Sequence, residues 1–374
     1  MSILKILYDH QVFTLQKYGG VSRYFCELYS HLLTMNTIQP EISVLYSENW
    51  YYQQLFHEKI NFPDQKNLGK YLNFGKYIII NKINEYNSKN RITAGNFDIF
   101  HPTYYNPYFL KYLKTKPFVL TVHDMIHELF PDVFKRDNTA IHKKKVIKYA
   151  TKIIAVSKNT KTDIIKFYDI DPQKIEVIHH GSSLHTLIPE NTLNLPEKYI
   201  LFIGKRGAYK NFTFFVNSIS SLLYEEKDLY LICAGGGVFS DDELSLLDNL
   251  KIRRKVLHVT NNTDSKLSQL YKNATLFVFP SRYEGFGIPI LEAFSCGCPV
   301  AASNYSSLPE VGGEAVNYFD PYNSNSIKSV VEDIVHDKAV QDSLRIRGYQ
   351  RLKLFSWENT ALKTKKVYEN LLCQ

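Results

Sequence analysis

The chain has 374 residues, of which 44% are hydrophobic and 22% are charged. This balance excludes an intrinsically disordered protein, and the length favours two domains because one hydrophobic core seldom serves more than about 250–300 residues. The formal charge of +8 at pH 7 fits either simple solubility or an anionic partner, such as a phosphate, a nucleic acid or an acidic membrane surface.

Three features of the sequence bear on the cellular compartment of the protein. The cysteines show neither metal-site spacing nor an even-numbered disulfide framework, which predicts small side chains in a reducing environment; they are Cys26, Cys233, Cys296, Cys298 and Cys373. No apolar signal-peptide core opens the sequence, and no run reaches the ~18 apolar residues of a membrane span. We expect a cytoplasmic protein, either free or peripheral at the inner face of the cell membrane.

In the first half of the chain, short apolar runs alternate with segments of helical periodicity. Predicted strands are Ile3–Tyr8, Phe97–His101, Phe118–His123, Lys152–Val156 and Ile175–His179. Several are apolar throughout, which is typical of strands buried on both faces of a parallel sheet. Helices are predicted over Val21–Leu33 and His142–Thr151.

A segment rich in Tyr, Asn and Lys, Asn49–Asn96, interrupts this alternation and is predicted to form helices or a long loop. Within it, Lys70–Ile83 mixes aromatic, aliphatic and lysine side chains. Two interpretations stay open for this stretch, a surface helix at a membrane interface or a helix or strand packed into the core.

The second half repeats the scheme. Predicted strands are Tyr199–Ile203, Leu229–Ala234, Val256–Val259, Leu276–Pro280, Pro299–Ala302 and Ala315–Phe319, and predicted helices are Phe212–Tyr224, Lys266–Lys272, Pro289–Ser295 and Ser326–Asp333. The alternation predicts two doubly wound, Rossmann-like α/β domains, residues 1–185 and 186–355, with a last helix at about 356–374 returning to the first. Ligands of such sheets bind beyond the carboxyl ends of the strands, which favours the cleft between the domains.

The clearest chemical signal follows the strand at Leu276–Pro280. Glu284 lies on the predicted loop, and Glu292 is predicted in the first turn of the helix, where the helix dipole favours a carboxylate. Gly285 and Gly287 let backbone N–H groups approach a ligand. Carboxylates for hydroxyls and amides for oxygens together suit a sugar nucleotide.

A second loop carries cations. The strand at Tyr199–Ile203 leads into Gly204-Lys-Arg-Gly-Ala-Tyr-Lys210 and then a helix. Lys205, Arg206 and Lys210 at a helix N-terminus form a candidate diphosphate cradle. The alternative is a solvated basic loop.

Two further features lie in the first domain. Gly19 and Gly20 open a helix after the first strand, a geometry that suits phosphate but also occurs in plain turns. His123 ends the strand at Phe118–His123, where a histidine is either structural or directed at a ligand.

Other ligand motifs are poor or absent. Cys233–Val238 lacks the G-x-G-x-x-G spacing of nicotinamide enzymes, and there is no P-loop. Asp169 and Asp171 have a D-x-D spacing but precede Pro172 as an ordinary turn would. We assign no metal and no cofactor.

The stretch Glu284-Gly-Phe-Gly-Ile-Pro-Ile-Leu-Glu292 resembles the E-x7-E motif of retaining glycosyltransferases of family 4, which have the GT-B fold. Further landmarks of that family stand in the expected order along nearly the whole chain: Gly19-Gly20, Thr121–Met125, Ile154–Ser157, Ile178–Gly181, Gly204–Asn211 and Ser307–Glu310. One departure is that Lys205, with Arg206 next, stands where many members carry Arg.

The resemblance implies transfer of a sugar from a nucleotide-sugar donor to a hydroxyl of a glycan or lipid-linked acceptor, without a metal. It places the donor mainly on the C-terminal domain, residues 186–355, and the acceptor largely on the N-terminal domain, residues 1–185. It assigns the donor sugar to Glu284 and His123, the ribose hydroxyls to Glu292, and the diphosphate to Arg206 and Lys210, with Lys205 able to share that role. Sugar hydroxyls or phosphate would meet the amides of Phe286, Gly287 and Ile288, and Gly20 would allow close approach to the diphosphate.

Finer expectations also come from the resemblance. Val122–Pro131 looks most like mannosyltransferases of bacterial surface polysaccharide assembly, which favours GDP-mannose over a UDP-sugar. Acceptors of such enzymes are often lipid-linked, and a basic stretch would either meet anionic headgroups or form a solvated helix face; it comprises Lys143, Lys144, Lys145, Lys148 and Lys152.

Three other classes of function remain as alternatives. An epimerase or phosphorylase of the same fold would share the glutamate loop, although the basic loop favours transfer. A nucleic-acid-binding protein would need a basic stripe with interleaved aromatic residues, whereas these charges are scattered. A catalytically inactive scaffold is disfavoured because Glu284, Glu292, Arg206 and Lys210 are all present.

Overall fold

The structure is a computed structural model, and it describes residues 3–56, 70–182, 184, 193–260 and 263–372. The chain divides into two compact units. The N-terminal unit comprises Met1–His180 and Trp357–Gln374, and the C-terminal unit comprises Gly181–Ser356.

All strand pairs in the described residues are parallel. In chain order the strands are β1 (Leu4–Tyr8), β2 (Ile38–Ile42), β3 (Ile99–His101), β4 (Val119–Val122), β5 (Lys152–Ala155), β6 (Ile175–Val177), β7 (Lys198–Ile203), β8 (Leu229–Ala234), β9 (Val256–Val259), β10 (Leu276–Phe279), β11 (Val300–Ser303) and β12 (Asn317–Phe319).

Helices connect these strands. They are α1 (Gln11–Leu15), α2 (Gly20–Leu33), α3 (Trp50–Phe56), α4 (Lys70–Ala94), α5 (Ile126–Leu129), α6 (Thr139–Tyr149), α7 (Lys158–Tyr168), α8 (Phe212–Glu225), α9 (Asp241–Asn249), α10 (Asp264–Asn273), α11 (Ile288–Ser295), α12 (Leu308–Gly312), α13 (Ser324–His336), α14 (Lys338–Leu352) and α15 (Trp357–Leu372). None of the helices in the described ranges is long and apolar enough to cross a membrane.

The N-terminal unit holds six strands in the order β2-β1-β3 and β4-β5-β6, and a parallel bridge between Phe100 and Phe118 joins the two groups. The chain passes from β1 to β2 on one side and later adds β3 on the other side of β1. Its order therefore reverses between β1 and β3, at the kind of crevice where doubly wound sheets bind ligands.

The last helix, α15, packs against α2 and completes the N-terminal core. The Tyr368 hydroxyl lies 2.9 Å from the Tyr8 hydroxyl and 2.6 Å from His101 Nδ1, while His101 Nε2 lies 3.0 Å from Thr121 Oγ1. This buried chain of hydrogen bonds ties the end of the sequence to β1, β3 and β4, so α15 belongs structurally to the N-terminal unit.

The C-terminal unit has a six-stranded sheet in the order β12-β11-β10-β7-β8-β9. The chain runs outward from β7 through β8 to β9, returns to the other side of β7 as β10, and continues to β12. Buried side chains such as Phe202, Phe215, Leu231 and Val278 form its core against the helices. The order reverses between β7 and β10.

The predicted fold class, two doubly wound Rossmann-like α/β domains, is confirmed. The sequence analysis missed β2 and several helices, namely α1, α5, α7, α9, α12 and α14, and strand ends differ by one or two residues. Lys70–Ile83 lies within α4, so this stretch forms a helix and not a strand. The longer segment Asn49–Asn96 also contains α3. Residues 57–69 of that segment lie outside the described residues.

The basic stretch differs from the expectation at two positions. Lys152 is half-buried at the start of β5, whereas the other four lysines lie on α6. Lys144, Lys145 and Lys148 are exposed, but Lys143 is fully buried. Its Nζ donates to the Asp124 carbonyl and to Glu128 Oε2, both at 2.9 Å. Lys143 is therefore a structural cation. It cannot contact a lipid headgroup because it is buried, and the lysines next to it in sequence occupy the solvent-exposed face of the helix.

Replacing Lys143 by Met is expected to lower the free energy of unfolding by about 3 kcal/mol, because Glu128 would keep a buried charge without its cation. Lys144→Met on the exposed face is the matched control and should change stability by less than about 0.5 kcal/mol. Urea unfolding of both variants measures the difference. Equal stability of the two variants would contradict the structural role of Lys143.

The pH dependence of stability follows from His101. Burial lowers the pKa of His101 from 6.5 to about 3, so the unfolded chain takes up this proton well before the folded chain does. The contribution of His101 is complete above about pH 6.5 and is lost as the pH falls toward 3. As the pH falls from about 7.5 to 5, the urea midpoint should therefore decline less steeply in His101→Gln than in wild type. Parallel pH profiles of the two proteins would argue against this contribution of His101.

Candidate active site

Loops from adjacent strands meet at the reversal of the C-terminal sheet. β7 ends at Ile203, and Gly204 begins the loop that closes with a 3₁₀ turn at Ala208–Lys210. β10 leads into the loop that carries Glu284. The Arg282 amide donates to the Tyr209 carbonyl at 2.8 Å and joins the two loops. The basic loop and the glutamate loop, predicted separately from sequence, therefore lie side by side.

An ion pair joins these loops. Lys210 Nζ lies 2.6 Å from Glu284 Oε1, and both side chains are mostly buried, with 18% and 12% exposed. Lys210 also lies over the rings of Tyr209 and Phe279. Each charge compensates the other in a partly desolvated place, while the remaining exposure keeps both within reach of a ligand.

Two serines after β11 hold the glutamate loop. The Glu284 amide donates to Ser306 Oγ at 3.0 Å, and Ser307 Oγ bonds the carbonyls of Glu284 and Phe286 at 2.8 and 2.9 Å. Three neighbouring strand ends thus fix the backbone of the loop that carries the Glu284 side chain.

Gly287 sets the start of α11. Its φ of +107° is rarely adopted by other residues, and a Cβ there would lie 2.9 Å from Leu308 Cδ2. The helix then begins at Ile288, with Pro289 in its first turn. Gly285, Phe286 and Ile288 adjoin Gly287 in sequence, so the backbone amides that are predicted to bind the donor all lie in one short segment.

Glu292 lies in the second turn of α11, and no acidic residue occupies the first turn. The predicted first-turn placement is therefore wrong, because the helix begins one residue earlier than expected. The carboxylate is buried, and its Oε2 accepts a hydrogen bond from the Tyr271 hydroxyl at 3.1 Å. Burial, and then the charge of Glu292, raise the pKa of Tyr271 well above 10, which keeps this hydroxyl a donor.

Arg206 has different neighbours from Lys210. Its guanidinium pairs with Glu243, at 2.8 Å from Nε to Oε1, and donates to three loop carbonyls, those of Gly235, Gly237 and Val238. Lys205 beside it is exposed. The predicted catalytic role of Arg206 stays a prediction, and the structure places its side chain against the loop after β8, apart from the Lys210–Glu284 pair.

The glycine pair of the N-terminal unit lies at the start of α2. Gly20 is the first helical residue, and Gly19 precedes it in an extended conformation. Gln16 Oε1 accepts a hydrogen bond from the Ser22 amide at 3.3 Å and lies so close to Gly19 that any Cβ there would clash with it. A glutamine amide thus covers the helix terminus that was predicted to approach a diphosphate.

His123 follows β4 in the same unit. Its amide donates to the Tyr105 hydroxyl at 3.0 Å, and its ring packs against Tyr24, Phe25 and His180. Its Nε2 is buried without a hydrogen-bond partner among the described residues. Burial, and then His101 and Lys143, lower the pKa of His123 to about 3. His123 is therefore a neutral imidazole at neutral pH.

The predicted residues fall into four groups. Arg206 lies against the loop after β8, with Lys205 exposed beside it. Lys210, Glu284 and the Gly285–Ile288 segment come together, Glu292 stands on the helix that follows, and Gly19, Gly20 and His123 belong to the N-terminal unit. The sequence analysis missed Tyr271 and Ser306. Ser306 follows a predicted strand end, which is a usable signal, whereas nothing in the sequence pairs Tyr271 with Glu292. Among the described residues, no three His, Cys, Asp or Glu side chains are grouped so as to hold a metal ion.

Known proteins share both halves of this architecture. The model of Glycosyltransferase Family 4 matches residues 18–185, and that of Glycosyl transferases group 1 matches residues 185–351. O-antigen chain mannosyltransferase B of Escherichia coli is 31% identical over 288 residues, which cover 73% of this chain and 74% of that protein.

Solved structures agree on the fold. Sucrose-phosphate synthase from Thermosynechococcus elongatus superposes with a TM-score of 0.74 at 17% identity and covers 100% of both chains. Anabaena HepE in complex with UDP and glucose gives a TM-score of 0.73 at 15% identity, covering 98% of this chain and 100% of that one. The chain therefore belongs to the family 4 glycosyltransferases of the GT-B fold and is a hexosyltransferase.

Proposed function

We propose that the protein transfers a mannosyl group from GDP-mannose, with retention of anomeric configuration, to a hydroxyl of a glycan or lipid-linked oligosaccharide in surface polysaccharide assembly. The observation that carries the proposal is the Lys210–Glu284 pair at the reversal of the C-terminal sheet. The choice of mannose rests on the similarity to O-antigen chain mannosyltransferase B.

The reaction exchanges one C–O bond for another. The bond from the anomeric carbon to the diphosphate oxygen breaks, and a bond to the acceptor oxygen forms on the same face of the sugar. The departing phosphate takes the acceptor proton, so no separate general base is required. Positive charge develops on the sugar ring and negative charge on the leaving diphosphate, and a site with fixed charges of both signs stabilises this transition state.

Glu284 and Lys210 supply those charges. The serine bonds hold the Glu284 backbone in place before the donor binds, and the Glu284 carboxylate faces the developing oxocarbenium ion in our proposal. Lys210 turns from Glu284 toward the diphosphate as negative charge accumulates there. Lys205, which is exposed, adds a second cation, and Arg206 positions the neighbouring loop through Glu243.

The remaining predicted contacts have narrower roles. Glu292 accepts hydrogen bonds from the ribose hydroxyls, with Tyr271 fixing its orientation. His123, neutral and with a buried ring nitrogen, bonds a donor-sugar hydroxyl. We propose that lysine side chains and backbone amides make a metal unnecessary, and that exposed lysines of α6, Lys144, Lys145 and Lys148, attract an anionic membrane to the acceptor side.

Transfer from a UDP-sugar is the second candidate, because HepE was solved with UDP and glucose. The two candidates share the sugar-transfer chemistry and differ in the base that the donor carries. A panel of nucleotides therefore separates them.

The first test measures thermal stability of the full chain with GDP, UDP, GDP-mannose and UDP-glucose. A ligand at 100 times its dissociation constant stabilises the folded state by about 2.7 kcal/mol. We expect GDP and GDP-mannose to raise the melting temperature of wild type and to raise that of Glu292→Ala less, because the variant lacks the ribose contact. Glu225→Ala, on an exposed surface of the same unit, should respond like wild type.

A larger shift with UDP ligands would replace the GDP-mannose proposal by the UDP candidate. No shift with any nucleotide would overturn the proposed donor site. An equal response of Glu292→Ala and wild type would remove the ribose role from Glu292 alone.

Glu284→Gln keeps the shape of the side chain and removes its charge. We expect kcat for transfer to fall by roughly 10²- to 10³-fold because the oxocarbenium ion loses its counter-charge, while GDP-mannose still stabilises the variant. Acceptor-dependent release of GDP measures the rate, and NMR of the product's anomeric proton reports the configuration. An unchanged kcat, or an inverted product, would contradict the proposed mechanism.

A further inference from the structure

A separate hollow lies in the N-terminal unit, at the carboxyl ends of β1 and β3 where the chain order reverses. Its volume is about 290 Å³, close to the lower limit of typical ligand pockets. We call it the tyrosine pocket. Its principal walls come from the segments after β1 and β3 and from one face of α4, and they comprise His10, Tyr104, Tyr105, Tyr108, Asn81 and Glu85.

A buried carboxylate holds the walls in place. Asp9 accepts hydrogen bonds from the Thr103 amide at 2.9 Å, from Thr103 Oγ1 and Gln11 Nε2 at 2.7 Å, and from the Tyr108 hydroxyl at 3.1 Å. Four donors on one fully buried carboxylate connect the segment after β1 to the segment after β3. The pocket is therefore preformed, as a binding site for a small molecule usually is.

The third wall is a face of α4. Tyr77, Asn81 and Glu85 are spaced four residues apart and therefore line one side of the helix. Within the described ranges, no residue hydrogen-bonds the Asn81 side-chain amide, which leaves donors and an acceptor for a ligand. Tyr77 is 39% exposed at the rim and offers its ring face.

The charged groups of the pocket and its support include two carboxylates, those of Asp9 and Glu85. Glu85 pairs with Lys89 at 2.6 Å. His10 Nδ1 lies 2.8 Å from Ser88 Oγ, and burial lowers the pKa of His10, so this imidazole is neutral at neutral pH. Because no Lys or Arg is among the described residues that line it, the pocket does not fit a phosphate or an anionic headgroup. Several aromatic rings with an amide and a carboxylate fit an uncharged polyol, whose C–H groups pack on the rings while its hydroxyls bond the polar atoms.

The tyrosine pocket adjoins the strand end that carries His123. Tyr105 forms part of its wall, and the Tyr105 hydroxyl accepts the hydrogen bond of the His123 amide at 3.0 Å. A sugar in the pocket would therefore lie next to the residue that, under the proposed function, contacts the donor sugar.

We propose that the tyrosine pocket binds an uncharged hexose unit of the acceptor glycan, with Asn81 and Tyr77 as specificity-determining contacts. The proposal that the pocket binds a free saccharide does not depend on the proposed function. The identification of that saccharide as the acceptor rests on the proposed function.

The test uses two probes, methyl α-D-mannopyranoside and a mannobiose, titrated into the full-length chain and followed by saturation-transfer NMR. Losing one or two hydrogen bonds or a ring contact should raise the dissociation constant about three- to ten-fold in Asn81→Ala and in Tyr77→Ala. Asn90→Ala and Tyr86→Ala are the matched controls, because both residues are exposed on α4 outside the pocket. They should bind like wild type.

Kinetics connect the pocket to transfer. In Asn81→Ala the KM for the acceptor should rise by the same factor, with kcat and the GDP-mannose response unchanged. A purely structural defect would instead lower the melting temperature and affect donor and acceptor together.

Several results would overturn the proposal: no saccharide binding by wild type, equal binding by the pocket variants and their controls, or displacement of the saccharide by inorganic phosphate. Saccharide binding that depends on Asn81, in a protein that no nucleotide stabilises, would support the pocket while the proposed donor site fails. Nucleotide binding without saccharide binding would overturn the pocket alone.

Discussion

Parallel strands constrain this protein more than any single contact does. Every connection in such a sheet leaves from the carboxyl edge and returns to the amino edge, so loops collect along one edge, and they part where the chain order reverses. Both sheets have one reversal, between β1 and β3 and between β7 and β10. The Lys210–Glu284 pair lies at the second and the tyrosine pocket at the first. Each unit thus has a candidate site where its strand order reverses, and the side chains at the two sites differ.

Buried charge distinguishes residues that support the loops from residues that are available for a ligand. Asp9, Lys143 and Arg206 are each buried and bound by several partners, and each joins a loop to its neighbours. Removing such a group leaves a partner charge or several polar atoms unpaired, which is strongly destabilising. Lys210 and Glu284 keep partial exposure, and in the mechanism that we propose a diphosphate and a sugar cation replace their pairing. The groups with several partners therefore support the loops, whereas the partly exposed pair fits the catalytic role that we propose for it.

The sequence pattern predicted the fold and the composition of the site more successfully than the contacts within it. Apolar runs bounded by turns located eleven of the twelve described strands well enough to give the class, but β2 was missed because Pro40 and alternating polar residues interrupt its apolar pattern. Lys143 was grouped with surface lysines because charge in a sequence carries no sign of burial. Arg206 was assigned beside Lys210, yet its partner Glu243 lies 37 positions away, and no local period connects two such residues.

The sequence by itself determined what depends on short spacing: alternating strands and helices, glycines at the tight turn before α11, and the carboxylates of Glu284 and Glu292 on one strand-loop-helix unit. Only the tertiary structure decided what depends on distant segments meeting. It brought Lys210 to Glu284 across 74 positions, Tyr368 to His101 across 267, and the segments after β1 and β3 together around Asp9. The physical reason is that local conformation follows from sterics and periodicity along the chain, whereas these pairings arise only when the sheets close and buried polar groups must find partners.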